Sequence, residues 1–209
     1  MPMSESHRNT RQNMTAPGKV PEEAVKGLTA VADRTKRGPA PVHLWNPPDC
    51  GDIDMRIAAD GTWFYCGSPI GRLPLVQLFS SILRKDRDRH VLVTPVEKVG
   101  VTVDDAPFLA VELYHSGEGQ HLALTFRTNV GDLLTAGEEH PLRFDRGAAD
   151  GVKPYVKVRG DLWALVSRAL YYDLVALGAC EPWRGEAWFG VRSLGVFFPM
   201  CPASEIEGL

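Results

Sequence analysis

The sequence of 209 residues lacks any apolar run long enough to cross a membrane, since a spanning helix needs roughly 18 to 20 consecutive apolar residues. Its beginning, MPMSESHRNTRQNMT, also lacks the apolar stretch of a secretory signal. We therefore expect a cytoplasmic protein that has no membrane partner. The apolar fraction of 44% is ordinary for a packed globular protein.

Paired cysteines and excess positive charge are also missing. The four cysteines show no C-x-x-C spacing, which gives no support to a zinc knuckle or a thioredoxin-type redox pair. The chain has 23 Lys and Arg against 26 Asp and Glu, so its charge gives no reason to expect nucleic acid as a partner. The six histidines form no H-E-x-x-H pair. We expect no cofactor and no bound metal.

The charge that is present is unevenly distributed. Residues 1–40 hold seven Lys and Arg and four Asp and Glu, while the rest holds 16 and 22, giving net charges of +3 and −6. Residues 1–19 are polar and non-periodic, which predicts a disordered leader. Residues 20–40 have a proline and acids early and basic residues late, which predicts an N-terminal helix and a linker.

From residue 53 the pattern predicts strands and one helix. The stretch DIDMRIAADGTWFYCG alternates apolar and polar residues on both sides of Asp60-Gly61, which is typical of a β-hairpin. The stretch IGRLPLVQLFSSILRK has apolar residues at helical spacing and basic residues in its last turn. We expect the strands that follow, up to HLALTFRTN, to form a meander.

The second half repeats this order of elements. The stretch DLWALVSRALYYDLVALG predicts a helix with Asp161 at or near its N-cap, and EAWFGVRSLGVFFPM predicts a closing hairpin. We therefore predict an α+β fold of two sub-domains, residues 41–115 and 116–209. Each would contain a repeated helix-plus-antiparallel-strands (β-meander) motif, and the N-terminal helix would precede them.

The most concentrated group of chemically active side chains is WNPPDCGDIDMRI, at residues 45–57. Asp49, Asp52 and Asp54, with His43 upstream, could supply ligands to a divalent cation. The spacing is not that of a calcium loop, however, and alternating acids are also typical of the solvated face of a strand. Both interpretations stay open, with the strand interpretation favoured.

Four further residues are candidates for ligand binding. Arg72 follows a glycine-containing loop before a helix and could hold an anion. Glu97 stands beside a lysine, Arg127 begins a polar cluster FRTNVGD at a strand end, and Trp45 lies in a proline-rich extended segment. Each also has a structural interpretation as a turn, a solvated charge or an anchor. The predicted binding residues are therefore Trp45, Asp52, Asp54, Arg72, Glu97 and Arg127, and no catalytic residue is predicted.

Several long blocks taken together resemble a known bacterial family. In order, these are HLWNPPDCGDIDMRI, DGTWFYCGSPIGR, LVTPVEKVGVTVDDAPFLA, FRTNVGD and FFPM. They are similar to the domain of unknown function family 1285 (DUF1285), from about residue 40 to the C-terminus. The resemblance implies an α+β fold of two sub-domains with a repeated motif and an involvement in signal transduction. It implies no particular catalytic or binding residue.

Two functions follow as hypotheses. The first is a cytoplasmic binding or regulatory module without its own catalysis, because the sequence contains no complete catalytic constellation. Its partner would be an unknown protein or small-molecule ligand. The alternative is a metal-assisted hydrolase or ligand-processing enzyme. In it, Asp49, Asp52 and Asp54 would be oxygen ligands with His43 as an extra ligand, Arg72 would clamp an anion and Glu97 would be the general base. The sequence leaves the oligomeric state open.

Overall fold

Strands make up most of the molecule. The computed structural model describes residues 40–146 and 151–206, of which 52% lie in strands and 17% in helices. The predicted leader and N-terminal helix fall on residues 1–39 and so lie outside the described residues. Two α-helices occur in the described residues: α1 (Leu73–Ser81) and α2 (Arg168–Ala176).

The first sheet is built from the first six strands, in the order β3-β2-β1-β6-β5-β4. The strands are β1 (Asp49–Ile57), β2 (Trp63–Tyr65), β3 (Ser68–Pro69), β4 (Leu83–Asp86), β5 (Arg89–Val93) and β6 (Lys98–Val103). β1 and β2 form the hairpin that Asp60-Gly61 predicted, which confirms that prediction. The pairing of β1 with β6 is parallel, so the two strands are joined by the intervening chain and not by a turn.

The second sheet has the order β10-β11-β12-β7-β8-β9. Its strands are β7 (Phe108–Ser116), β8 (Ala123–Thr128), β9 (Leu133–Thr135), β10 (Leu142–Arg146), β11 (Val152–Arg159) and β12 (Leu162–Val166). β7 and β12 are parallel neighbours. A third sheet contains β13 (Ala179–Trp183), β14 (Glu186–Ser193) and β15 (Val196–Pro202), and its last two strands are the predicted closing hairpin.

The predicted α+β fold with a repeated helix-plus-strands motif is wrong, because the structure is mostly β-sheet. Residues 162–166, which the sequence places in a helix, form β12, and α2 begins only at Arg168. Residues 83–85, which the sequence places at the end of the first helix, belong to β4. In β12 the buried Leu162, Ala164 and Val166 alternate with half-buried residues, and alternation over a short run is the strand pattern.

The core lies between the sheets and the two helices. Trp63 of β2 stacks on Phe79 of α1 with ring centroids 6.2 Å apart, and Leu174 of α2 is fully buried. Fully burying such side chains contributes about 1.5–3 kcal/mol each relative to leaving them in water. The packing fixes α1 between the first sheet and the loop after β8.

Three polar contacts join the first sheet and α1 to the second sheet. The Gln77 side chain donates to the Val130 carbonyl at 2.9 Å, and the Asn129 amide donates to the Gly61 carbonyl at 3.3 Å. Arg159 donates to the carbonyl of Ser80, the residue before the end of α1. Residues 104–107 connect β6 to β7 covalently. These contacts hold the first sheet and α1 against the second sheet.

Candidate functional site

The acidic segment at residues 49–54 lies on β1, where two of its aspartates bind one arginine. Arg89 of β5 donates to Asp49 at 2.7 Å and to Asp52 at 3.0 Å from its Nε. The two strands are not neighbours, since β6 runs between them, and Gly100 is the β6 residue beneath the contact. A Cβ at position 100 would lie 1.9 Å from the Asp52 carboxylate, so only glycine leaves room for this ion pair in its present position.

The ion pair continues into a network of alternating charges at one end of the first sheet. Lys98 lies 4.0 Å from Asp49 and 3.1 Å from Asp86, and Asp86 also accepts from Arg84 at 2.6 Å. We call these residues, with Arg89 and Asp52, the β1–β6 ion network. The backbone N–H of Gly51 and then Arg89 hold the pKa of Asp49 below its usual range. These carboxylates are therefore already neutralised by arginine and lysine.

The acidic cluster does not have the arrangement that a metal site requires. Within residues 40–146 and 151–206, no group of three or more His, Cys, Asp or Glu side chains is placed to hold a metal ion. Asp54 is exposed on β1, away from the Arg89 contact, and His43 lies in a 3₁₀ turn before the strand. The structure thus favours the strand-face interpretation of these aspartates.

The other predicted binding residues lie at separate places. Trp45 is half-buried, and its carbonyl accepts from Arg84 at 2.7 Å. Arg127 of β8 forms an ion pair with Glu112 of β7. Arg72 is exposed before α1, and Glu97 is exposed in the turn that Thr94 closes. The structure does not bring these side chains together into one site.

A different group of side chains does converge, in a cleft of about 370 Å³ between the first and second sheets. We call it the inter-sheet cleft. The first sheet supplies one wall through the β4–β5 hairpin, the second sheet supplies the other through β10, β11 and β12, and the connection between the sheets lies with them. The lining residues are Lys85, Arg87, His90, Asp105, Ala106, Pro107, Arg143, Tyr155, Asp161 and Trp163.

Lys85 and Arg87 give the first wall its positive charge. Lys85 lies directly across the hairpin from His90, and Arg87 is in the two-residue turn. Neither cation forms an ion pair with any residue in the described part of the chain, whereas most of the other arginines and lysines there do. A second groove of about 620 Å³ adjoins the same hairpin. It is lined by both residues and by four members of the β1–β6 ion network, Asp49, Asp86, Arg89 and Lys98.

Arg143 forms the opposite wall with two aromatic rings. Its guanidinium lies 4.9 Å from the Tyr155 ring centroid and 4.5 Å from that of Trp163, close enough for cation–π attraction. The Arg143 Nε lies 3.0 Å from Asp145. All three side chains stand on the face of the second sheet opposite the buried residues Leu142, Val156 and Ala164, because side chains alternate along a strand. The stacking holds the guanidinium at the cleft.

Asp105 forms a hydrogen-bonded group with Tyr155 of this wall and with Lys153. Asp105 accepts from the Tyr155 hydroxyl at 2.7 Å and from the Lys153 ammonium at 2.6 Å. Burial alone would raise the pKa of Asp105, but the hydrogen bonds from Lys153 and Tyr155 outweigh it and lower the pKa. Burial, followed by Asp105, raises the pKa of Tyr155 well above its usual value. At neutral pH the group therefore consists of a carboxylate, an ammonium and a protonated phenol.

His90 adds a neutral polar ring to the cleft. Burial, followed by the charge of Lys85, lowers the pKa of His90 to about 4. The imidazole is therefore uncharged at neutral pH and offers one donor and one acceptor. The cleft combines cations, a neutral imidazole and aromatic surface, which is suited to binding an anion.

The sequence interpretation missed the cleft residues. The run RKDRDRH at residues 84–90 holds four cations and a histidine, and the helical spacing before it places Arg84 and Lys85 at the end of a helix. If residues 83–86 are read as a strand, Arg87 falls in a two-residue turn between two strands that also carry cations, and that pattern indicates a basic hairpin. Arg143, Tyr155 and Trp163 come from three different strands, and their convergence depends on a register that the sequence does not show.

None of the helices in the described ranges is long and apolar enough to cross a membrane.

Fold and cleft together define a mostly β-sheet protein with a cleft between two joined sheets that is lined in part by basic residues. The N-terminal domain model of the domain of unknown function DUF1285 matches residues 40–106. The C-terminal domain model of the same protein of unknown function matches residues 107–200. The chain belongs to the DUF1285 family, which confirms the resemblance seen in the sequence.

Two solved structures are similar to the chain. A DUF1285 family protein from Silicibacter pomeroyi DSS-3 is 53% identical with a TM-score of 0.79, and the match covers 86% of this chain and 97% of that one. A DUF1285 family protein from Shewanella baltica OS155 is 30% identical with a TM-score of 0.49, covering 59% of this chain and 91% of that one. No curated protein matches the chain. The boundary between the two family models falls at residues 106 and 107, which line the inter-sheet cleft.

Proposed function

We propose that the protein is a cytoplasmic binding module, without its own catalysis, for a small organic anion held in the inter-sheet cleft. One observation carries the proposal: Lys85 and Arg87 on one wall have no acidic partner in the described residues, and Arg143 faces the same cleft from the other wall. Residues 41–209 carry a net charge of −6, so unpaired cations at one concave place are not explained by an overall basic surface. An anion there would gain charge-assisted hydrogen bonds.

The walls of the cleft support a regulatory role for this binding. Lys85 and Arg87 belong to the first sheet and Arg143 belongs to the second, so a ligand in contact with both walls would hold the two sheets in one arrangement. Binding stabilises whichever arrangement it prefers, by an amount set by the difference in affinity. Because such a ligand would favour one arrangement of the two sheets, we include a part in signal transduction in this proposal.

A thermal-shift screen of the full chain against small carboxylates, inorganic phosphate and amino acids tests the proposal. A ligand at about 100 times its dissociation constant stabilises the folded state by about 2.7 kcal/mol, which shifts the melting temperature by several degrees. We expect a shift with at least one anion, and we expect Arg87→Ala and Arg143→Ala to abolish it.

Arg72→Ala is the matched control, because Arg72 is an exposed arginine that does not line the cleft. It should leave the ligand-induced shift intact. The proposal is overturned if no anion shifts the melting temperature, or if Arg72→Ala removes the shift as completely as Arg87→Ala does.

A further inference from the structure

The inter-sheet cleft also holds one carboxylate that has no counter-charge. Asp161 lies in the turn between β11 and β12, next to Gly160, whose φ is 49°. It lines the cleft, and within the described residues it forms neither an ion pair nor a side-chain hydrogen bond. The other lining carboxylate, Asp105, is occupied by Lys153 and Tyr155. Asp161 therefore lines the same cleft as Lys85, Arg87 and Arg143 without forming an ion pair with any of them, so its carboxylate is free to contact a ligand there.

Three charged side chains that line the cleft have no ion-pair partner in the described residues. Arg143 is neutralised by Asp145, and Asp105 by Lys153, which leaves the cations Lys85 and Arg87 and the anion Asp161. A dianion would match both cations but would be repelled by the carboxylate. A neutral amino acid would match the carboxylate and only one cation. A molecule with two acid groups and one ammonium would match all three.

We infer, on the basis of the proposed anion site, that the ligand is an acidic amino acid or a close analogue that bears two carboxylates and one ammonium. The ammonium faces Asp161, and the carboxylates face Lys85 and Arg87. The volume of about 370 Å³ is near the low end of small-molecule pockets, roughly 300–1,000 Å³, which favours a metabolite-sized ligand. The Trp163 ring supplies apolar surface for the carbon chain of the ligand.

Isothermal titration calorimetry of the full chain with two matched pairs of compounds tests this inference. L-glutamate and glutarate, like L-aspartate and succinate, differ only by the ammonium group. We expect the amino acid of at least one pair to bind about 10-fold more tightly than its partner, because a hydrogen bond to a charged group contributes about 1.5–3 kcal/mol. Asp161→Asn should reduce that ratio to about 2-fold or less while the dicarboxylate binds at least as well as before.

Asp88→Asn is the control, since Asp88 is a turn aspartate of the β4–β5 hairpin that does not line the cleft. It should leave the ratio unchanged. If the dicarboxylates bind as tightly as the amino acids, or if Asp161→Asn does not change the ratio, the inference is overturned and the anion site stands. If none of the four compounds binds, the inference is overturned, and the proposed function is then decided by the wider anion screen.

Discussion

At the scale of single residues, His90 makes the stability of the protein depend on pH. An exposed histidine takes up a proton near pH 6.5, whereas burial and then Lys85 lower the pKa of His90 to about 4 in the folded protein. As the pH falls from about 6.5 towards 4, the unfolded state binds a proton that the folded state does not, so the free energy of unfolding decreases. We expect urea unfolding midpoints to fall over this range.

The matched variant is His90→Asn, which keeps a polar side chain but does not titrate. Its unfolding midpoint should fall less than that of the wild type between pH 6.5 and 5, where the shifted aspartates have not begun to protonate. An equal fall in both proteins would contradict the assignment of this pH dependence to His90.

Two glycines show that the stability lost when glycine is replaced by alanine depends on which atoms the added Cβ contacts. A Cβ at Gly100 would meet the ends of the Asp52 and Arg89 side chains, which can move aside. A Cβ at Gly190 would lie 2.3 Å from the backbone oxygen of Phe198, which cannot move without disturbing β15. We expect Gly190→Ala to lower the free energy of unfolding by about 2 kcal/mol or more, and Gly100→Ala by at most about 1 kcal/mol. Urea denaturation of both variants measures the difference, and equal losses would contradict this account.

The sequence places the aspartates of residues 49–54 on a strand, but it does not show which side chains they contact. Asp52 and Arg89 are 37 residues apart and meet only because β1, β6 and β5 are adjacent in the first sheet. The prediction for these aspartates depended on spacing within a short segment. The cation that neutralises them is supplied by the strand order, which local spacing does not encode.

At the scale of elements, the turn of the β4–β5 hairpin holds a strained residue. Arg87 has φ of 54°, in the left-handed region that costs a non-glycine residue about 1–2 kcal/mol. The turns at Cys66, Arg184 and Leu194 also have positive φ, and in each of them glycine follows, whereas Asp88 follows Arg87. Strain of this kind is often retained at functional sites.

Arg87→Gly should therefore separate stability from binding. Relief of the positive φ outweighs the greater flexibility of unfolded glycine, so the free energy of unfolding should rise by about 0.5 kcal/mol. The variant should at the same time lose the stabilisation by anions. Arg184→Gly, in a turn that does not line the cleft, should keep that stabilisation. If both variants respond to anions as the wild type does, Arg87 is not part of the binding site.

Element types were predictable where the local signal was strong. The Asp60-Gly61 turn and the alternation around it specify the β1–β2 hairpin, and the closing hairpin has a comparable pattern. The lengths of the helices were wrong because short apolar runs fit either period. The segment of residues 162–166 becomes a strand because it pairs with β11 on one side and β7 on the other, and that pairing outweighs local helix propensity.

At the scale of the whole molecule, Arg159 of β11 is a polar link between the second sheet and α1. It donates to the Ser80 carbonyl and to Asp132, and it lies over the Phe108 ring at 5.1 Å. Its removal would leave these acceptors without their partner in a half-buried setting. We expect Arg159→Ala to lower the free energy of unfolding by about 2–3 kcal/mol.

Arg146→Ala is the comparison for this prediction. Arg146 pairs with Glu205 at 2.9 Å but is 75% exposed, so its loss should change the free energy of unfolding by less than about 1 kcal/mol. Guanidinium denaturation of the two variants gives the values. A loss for Arg159→Ala no greater than that for Arg146→Ala would show that the link between the second sheet and α1 contributes little.

The overall architecture was the least predictable feature. Its two parallel pairs, β1 with β6 and β7 with β12, join segments separated by many residues and by several antiparallel strands. A meander of consecutive strands is the simplest interpretation of such a sequence, and it gives the wrong neighbours for β1 and β7. The resemblance to DUF1285 correctly identified the family, but the repeated α+β motif expected from it does not describe this chain.

The pairing of β7 with β12 also constrains when the inter-sheet cleft can form during synthesis of the chain. The ribosome releases β7 more than 40 residues before β12, so β7 has one neighbour, β8, until residues 162–166 emerge. Asp161 and Trp163 complete the cleft at that same moment. A nascent chain that stops before this point has the basic hairpin but no opposite wall, so occupancy of the cleft would report that translation of both sheets is finished.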